Sequence, residues 1–185
     1  VRQALLLMAQ RRLVQLKPNK GAEVAEPTQQ LAKEVFQSRR CIESEIVSLA
    51  CERINARDVA QLKAHLAREQ KARSEGDKHA LIRATGEFHL ILAKIAGNQL
   101  FCDFLGELTA LSSLILEKFQ DEHGEACDSD HHRQLVELIT AGEAATAKQL
   151  MLAHLDEIES SLVFESQPRT TDLQAVFQAV RKPLQ

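Results

Sequence analysis

Tryptophan and tyrosine are absent from the 185 residues. That argues against an aromatic-lined pocket or a base-stacking platform as the seat of function. The four cysteines, Cys41, Cys51, Cys102 and Cys127, form no C-x-x-C pair. A zinc ribbon and a dithiol redox motif are therefore excluded, and the thiols read as small core residues in a reducing cytoplasm. No apolar run approaches the roughly 20 residues of a membrane helix. The first apolar stretch is interrupted by arginines and lacks a small-residue cleavage site, which argues against a signal peptide. Neither H-E-x-x-H nor any Glu-x-x-His pair occurs, removing the signatures of a zinc protease and of a di-iron bundle.

What is present suits one ordinary globular domain, or a domain plus a fragment. Hydrophobic residues make up 44% and charged residues 26% of the chain. Charge is unevenly placed: Arg2, Arg11, Arg12, Lys17 and Lys20 fall in residues 1–22 with no acid among them, so the rest is strongly acidic against a net charge of −3. A basic leading segment on an acidic body suggests an end that faces nucleic acid. Val1 opens the chain inside a helical pattern and without a methionine, which reads as a truncation.

Residues 2–13 predict a short amphipathic helix. Leu13–Leu16 and Ala22–Val24 predict two strands around the turn cluster "KPNKG". From residue 28 onward the periodicity predicts helices only, over 28–54, 57–75, 77–97, 98–121, 128–142 and 143–165, with Thr28 as the first N-cap. The breaks fall at Asn55, Gly76, Gly97–Asn98, the polar stretch "DEHGEACDSD" and Gly142. Residues 166–185 read as a tail carrying one weak helical pattern, "DLQAVFQAV". The fold class is all-α: an antiparallel helical bundle with a small two-stranded element ahead of it.

Seven histidines separate by their helical faces. His89 shares a face with Thr85, Phe88, Leu92 and Ala96. His132 shares one with Leu135, Val136 and Ile139, and His154 lies on the stripe of Ala147, Leu150, Met151 and Ile158. His65, His79 and His123 stand in polar contexts, and His131 is one step off the apolar stripe. His132 and His154 are equidistant from residue 143, beside the Gly142 turn. In an antiparallel hairpin they reach equal height, about 16 Å from it. If the 77–97 helix packs on that pair, His89 completes a cluster of three imidazoles suited to a divalent transition metal. No obvious carboxylate is expected on the interior faces. Each ring taken alone is as well explained as a hydrogen-bonded core residue.

Three segments together, "RRCIESEIVSLACER", "EFHLILAKIAGNQL" and "HRQLVELITAGEAATAKQLMLAHL", resemble the FCD ligand-binding domain of FadR-like members of the GntR family of bacterial transcription regulators. The leading "VRQALLLMAQRRLVQLKPNKGAEVAEP" resembles the end of that family's winged helix-turn-helix, its two-stranded wing included. The resemblance implies a partial DNA-binding domain over 1–26, whose earlier half is missing here, an effector-binding helical domain over 27–165 and a tail over 166–185. It assigns His89, His132 and His154 to the family's metal-binding histidines, with zinc, nickel or manganese as the ion. It puts Thr85 where the family usually has an aspartate ligand, and Arg39 where an arginine reaches the effector. Arg2, Lys17, Lys20 and the close-approaching Gly21 are the implied DNA contacts.

The reading is a cytoplasmic, homodimeric regulator that binds double-stranded DNA and answers to a small organic acid, with no membrane partner. One alternative is a metal-dependent helical-bundle enzyme acting on a small carboxylic acid, which would need a general base near the metal. A purely structural interaction bundle is the other, and it leaves the in-register histidines as coincidence.

Overall fold

The computed structural model describes residues 1–18, 20–120 and 129–164. His123, Cys127 and the tail 166–185 with its helical pattern lie outside the described residues. Within them the order is α1 (Arg2–Gln10), β1 (Val14–Lys17), β2 (Gly21–Val24), α2 (Gln29–Arg53), α3 (Ala56–Ser74), α4 (Lys78–Ala96), α5 (Gln99–Phe119), α6 (Ser129–Ala141) and α7 (Ala144–Ser160).

Helix ends follow local chemistry. Thr28 accepts from the Leu31 amide at the start of α2, and Asn55 and Asp58 form a reciprocal capping box on α3. Asp77 and Asn98 cap α4 and α5. Gly97 ends α4 in the left-handed conformation at φ +66°, and Gly142 makes the α6–α7 turn at φ +75°, a region in which side chains other than glycine are strained. The first helix stops at Gln10, short of the expected residue 13. Arg12 there takes φ +60°, and the Leu13 amide turns back to the Met8 carbonyl. β1 and β2 form an antiparallel hairpin registered from Val14↔Val24 to Lys17↔Gly21.

α2 is the central helix of the bundle, packing along α7, α4 and α5, while α3 lies on α4 and α6, and α6 pairs with α7. Phe36, Ile46, Leu62, Phe88, Leu92, Leu105, Ile115, Leu135, Met151 and Leu155 are fully buried between them. Among the described residues α5 alone is long and apolar enough to cross a membrane by length and composition, a property its sequence was not expected to have. Its buried face, Leu105, Thr109, Ser112, Ile115 and Leu116, is nevertheless packed on the bundle. The cysteines differ from expectation. Cys41 is exposed and Cys51 and Cys102 are only half-buried, because their helix positions fall beside the inward stripe rather than on it.

Candidate functional site

The α6–α7 hairpin brings His132 and His154 to one height. His132 Nε2 lies 3.2 Å from His154 Nε2, and His154 Nε2 lies 3.3 Å from His89 Nε2 on α4. All three side chains are buried. Phe88 stacks on the His132 ring with centroids 4.0 Å apart, fixing its plane from below.

The outward nitrogens carry the surprise. His132 Nδ1 is 2.8 Å from Glu69 Oε2 on α3, and His89 Nδ1 meets Glu43 Oε2 on α2. Both carboxylates are buried, at 1% exposure, where interior carboxylates were not expected. Each is also held by an arginine of its own helix. Arg39 Nε lies 2.6 Å from Glu43 Oε1, and Arg73 lies 3.5 Å from Glu69 Oε1. A carboxylate can only accept, so an Nδ1–H on each ring is the form that suits these contacts, and it leaves the Nε2 lone pair turned toward the cluster.

Burial would raise the Glu43 pKa, but the Arg39 charge and His89 outweigh it and hold the group at about 2. Glu69 is likewise lowered against the effect of burial, chiefly by the hydrogen bond and charge of His132. Burial pushes His89 down to about 4, with Glu43 opposing only in part. His154 is held well below its ordinary value by burial and by the two neighbouring imidazoles. At neutral pH His89 and His154 are therefore unprotonated and ready to ligate.

The donor set fits a divalent transition ion. At bonds of about 2.1 Å, tetrahedral ligand atoms lie about 3.4 Å apart and adjacent octahedral ones about 3.0 Å. The two separations of 3.2 and 3.3 Å fall between these. With the lone pairs of His89 and His132 both turned toward His154 Nε2, a cation among the three nitrogens, or a proton on His154 Nε2, reconciles them.

The other expected residues divide. Arg39 is buried at 3% exposure; its Nη1 reaches Ser112 Oγ at 3.3 Å, its guanidinium lies over the Phe36 ring, and its Nη2 has no hydrogen-bond partner among the described residues. Thr85 is buried one turn before His89, but its hydroxyl donates to the Leu81 carbonyl of its own helix at 2.9 Å. Lys17, Lys20 and Gly21 stand together at the hairpin tip, with Lys17 3.4 Å from Glu23, while Arg2 is exposed at the far end of α1. His65, expected in a polar setting, is fully buried. Its Nε2 donates to the Ala84 carbonyl and its Nδ1 accepts from Arg68, tying α3 to α4.

Glu43 and Glu69 are the residues sequence reasoning missed. A signal existed: Phe36, Arg39, Glu43, Ile46, Val47 and Ala50 share one face of α2, as Leu62, His65, Glu69 and Ala72 share one of α3. A carboxylate that keeps step with an apolar stripe is buried with it.

Residues 34–157 match the family model of the FCD domain. The HTH-type transcriptional regulator LutR of Bacillus subtilis (strain 168) is 26% identical over 186 residues, covering 88% of this chain and 83% of its own length. Among solved structures, a putative transcriptional regulator GntR from Rhodococcus sp. RHA1 is similar at a TM-score of 0.72 and 21% identity, over 86% of this chain and 76% of that one. E. coli McbR/YncC is similar at a TM-score of 0.69 and 20% identity, over 97% and 84%. At these identities the solved structures speak for the fold.

Proposed function

Because the chain belongs to the GntR family of transcription regulators, with an FCD domain over most of its length, we propose that it binds an operator in double-stranded DNA and adjusts that binding to a small carboxylate held in its helical bundle. Residues 1–26 belong to the DNA-reading module, 27–165 form the effector domain and 166–185 are a tail. The protein works as a homodimer in the bacterial cytoplasm, two reading modules meeting two half-sites. Arg2, Lys17 and Lys20 meet phosphates, and Gly21 lets the hairpin approach the backbone closely.

His89, His132 and His154 would hold a zinc, nickel or manganese ion, which supplies a Lewis-acid position for one carboxylate oxygen. Arg39 takes the other end of the acid through its Nη2, which has no hydrogen-bond partner among the described residues. Thr85 lies one turn before His89 on α4 with a neutral hydroxyl. An aspartate there would bring negative charge; without it the site stays more positive toward an acidic effector. The observation that carries this reading is the convergence of three buried Nε2 atoms in the same bundle as a buried guanidinium with an unpartnered nitrogen. The enzymatic alternative is disfavoured by the same geometry. Glu43 and Glu69 both turn to ring Nδ1 atoms and arginines, so neither is placed as a general base facing the space between the Nε2 atoms.

The test is elemental analysis of protein purified without a nickel column or chelator, followed by calorimetric titration with acetate, succinate and citrate. About one ion per chain is expected, lost in His132→Ala. Binding of at least one of the three acids should weaken on metal removal and in Arg39→Lys. Absence of metal from the unaltered chain overturns the metal part. An acid that binds the bundle yet leaves the DNA affinity of the natural full-length protein unchanged overturns the regulatory part.

A further inference from the structure

The geometry points to Glu43 and Glu69 as positioning residues for the metal site: each accepts the Nδ1–H of one histidine, turns that ring's Nε2 inward, and is itself held in place by an arginine of its own helix. The inference rests on the metal reading above and deepens it, since it names what orients the ligands.

The two arrangements are built alike from different helices. On α2, Arg39 stands four residues before Glu43, and Glu43 faces His89 of α4. On α3, Arg73 stands four residues after Glu69, and Glu69 faces His132 of α6. Both carboxylates are 1% exposed. A buried carboxylate facing only apolar groups would be destabilising; here each stays ionised because a cation and a ring N–H share it. An imidazole whose Nδ1–H is committed to a carboxylate has one tautomer and one orientation, and its Nε2 is a stronger donor to a cation. The helices that carry the carboxylates are not those that carry the histidines, so the bundle must assemble before the ligands are oriented. The arginines differ in one respect. Arg39 keeps an Nη2 without a hydrogen-bond partner among the described residues, so an acid bound there would touch the same ion pair that orients His89.

The experiment compares zinc and cobalt affinity, by competition with a chelator, in the unaltered chain, Glu43→Gln, Glu69→Gln and Glu87→Gln. Glu87 lies on α4 near His89 but is half-exposed and paired at 3.8 Å with Arg68, so its variant is the control. Affinity should fall about 10-fold or more in each of the first two variants and stay unchanged in the third, with the d–d absorption of bound cobalt altered only in the first two. A structural role alone would lower the melting temperature of the metal-free form and leave affinity and cobalt spectrum intact; that result overturns the inference while the metal reading stands. Failure of the unaltered chain to bind either ion overturns both. A measurement that needs no variant guards against misfolding: the ring ¹⁵N resonances of His89 and His132 should report the Nδ1–H tautomer, and an Nε2–H tautomer in either ring would refute its carboxylate's role.

Discussion

His89 and Glu43 face each other, and both release protons in the folded chain at lower pH than in the unfolded one. For His89 the folded value is about 4 against an ordinary 6.5. Between those values the unfolded chain binds more protons than the native one, so stability rises with pH there and is lost as pH falls from about 6.5 toward 4. Glu43, at about 2 against 4.5, adds a second loss in the same direction, beginning near 4.5 and complete near 2. For chelator-treated protein the urea midpoint should hold steady from pH 8 to 7 and fall by pH 4.5. His89 alone accounts for roughly 3 kcal/mol across its window, and His89→Gln should flatten part of the slope. A midpoint constant from pH 7 to 4.5 would show that the ring is not held neutral. At this scale the sequence was half legible. The histidines could be found because three rings fell on apolar stripes and two were in register about a turn. Glu43 and Glu69 sit in charged surroundings, "RRCIESE" and "AREQKAR", where a carboxylate ordinarily faces water. Their burial depends on which faces of α2 and α3 the other helices cover, and that is decided by tertiary packing.

Elements were more legible than residues, because helix limits rest on local chemistry that needs no partner. Asn55, Asp77 and Asn98 cap as their positions suggest, and Gly97 and Gly142 end helices where L side chains resist the required backbone. What the sequence could not convey was how closely two helices approach. At Gly86, inside α4, a Cβ would lie 2.7 Å from Thr109 Cγ2 on α5, so the glycine permits the close contact of α4, which carries His89, with α5, which carries Ser112. By helix propensity alone Gly86→Ala should stabilise, by about 1 kcal/mol. Thr109 is buried and β-branched and has little room to yield, and such overpacking costs about 1–3 kcal/mol. Gly86→Ala should therefore lower the melting temperature by a few degrees, about 2–4 °C per kcal/mol for a chain of this size. Thr109→Ser removes the offending methyl, and in that background Gly86→Ala should become neutral or stabilising. Equal effects of Gly86→Ala in both backgrounds would place the strain elsewhere.

Across the whole molecule, stability is unequally shared. α1 contributes no buried residue, and the strands β1 and β2 none either, whereas α2, α4, α5 and α7 surround the common core. The hairpin end is tied to the bundle by exposed ion pairs, Arg11 to Glu107 at 3.3 Å and Lys118 to Glu26 at 3.5 Å, and by Lys118 Nζ donating to the Pro27 carbonyl at 3.3 Å. Pairs of that kind contribute little and weaken with salt. Both acidic and basic anchors, Glu107 and Lys118, lie on α5, the helix that also offers Ser112 to Arg39. A bundle that holds its N-terminal end loosely, and through the helix that also offers Ser112 to Arg39, suits the proposed mode of regulation, a shift of populations between geometries of unequal DNA affinity. The physical consequence is measurable on this chain alone. Backbone amides of Arg2–Val24 should exchange with solvent at least about 100-fold faster than those of the buried turns of α2, α4 and α7. Raising salt from 50 to 500 mM, which shortens the Debye length to roughly 4 Å, should quicken exchange in residues 1–27 and leave the bundle unchanged. Equal protection of Arg2–Val24 and α2 would mean that the two move as one rigid unit, and the loose attachment on which this mode of switching depends would be absent.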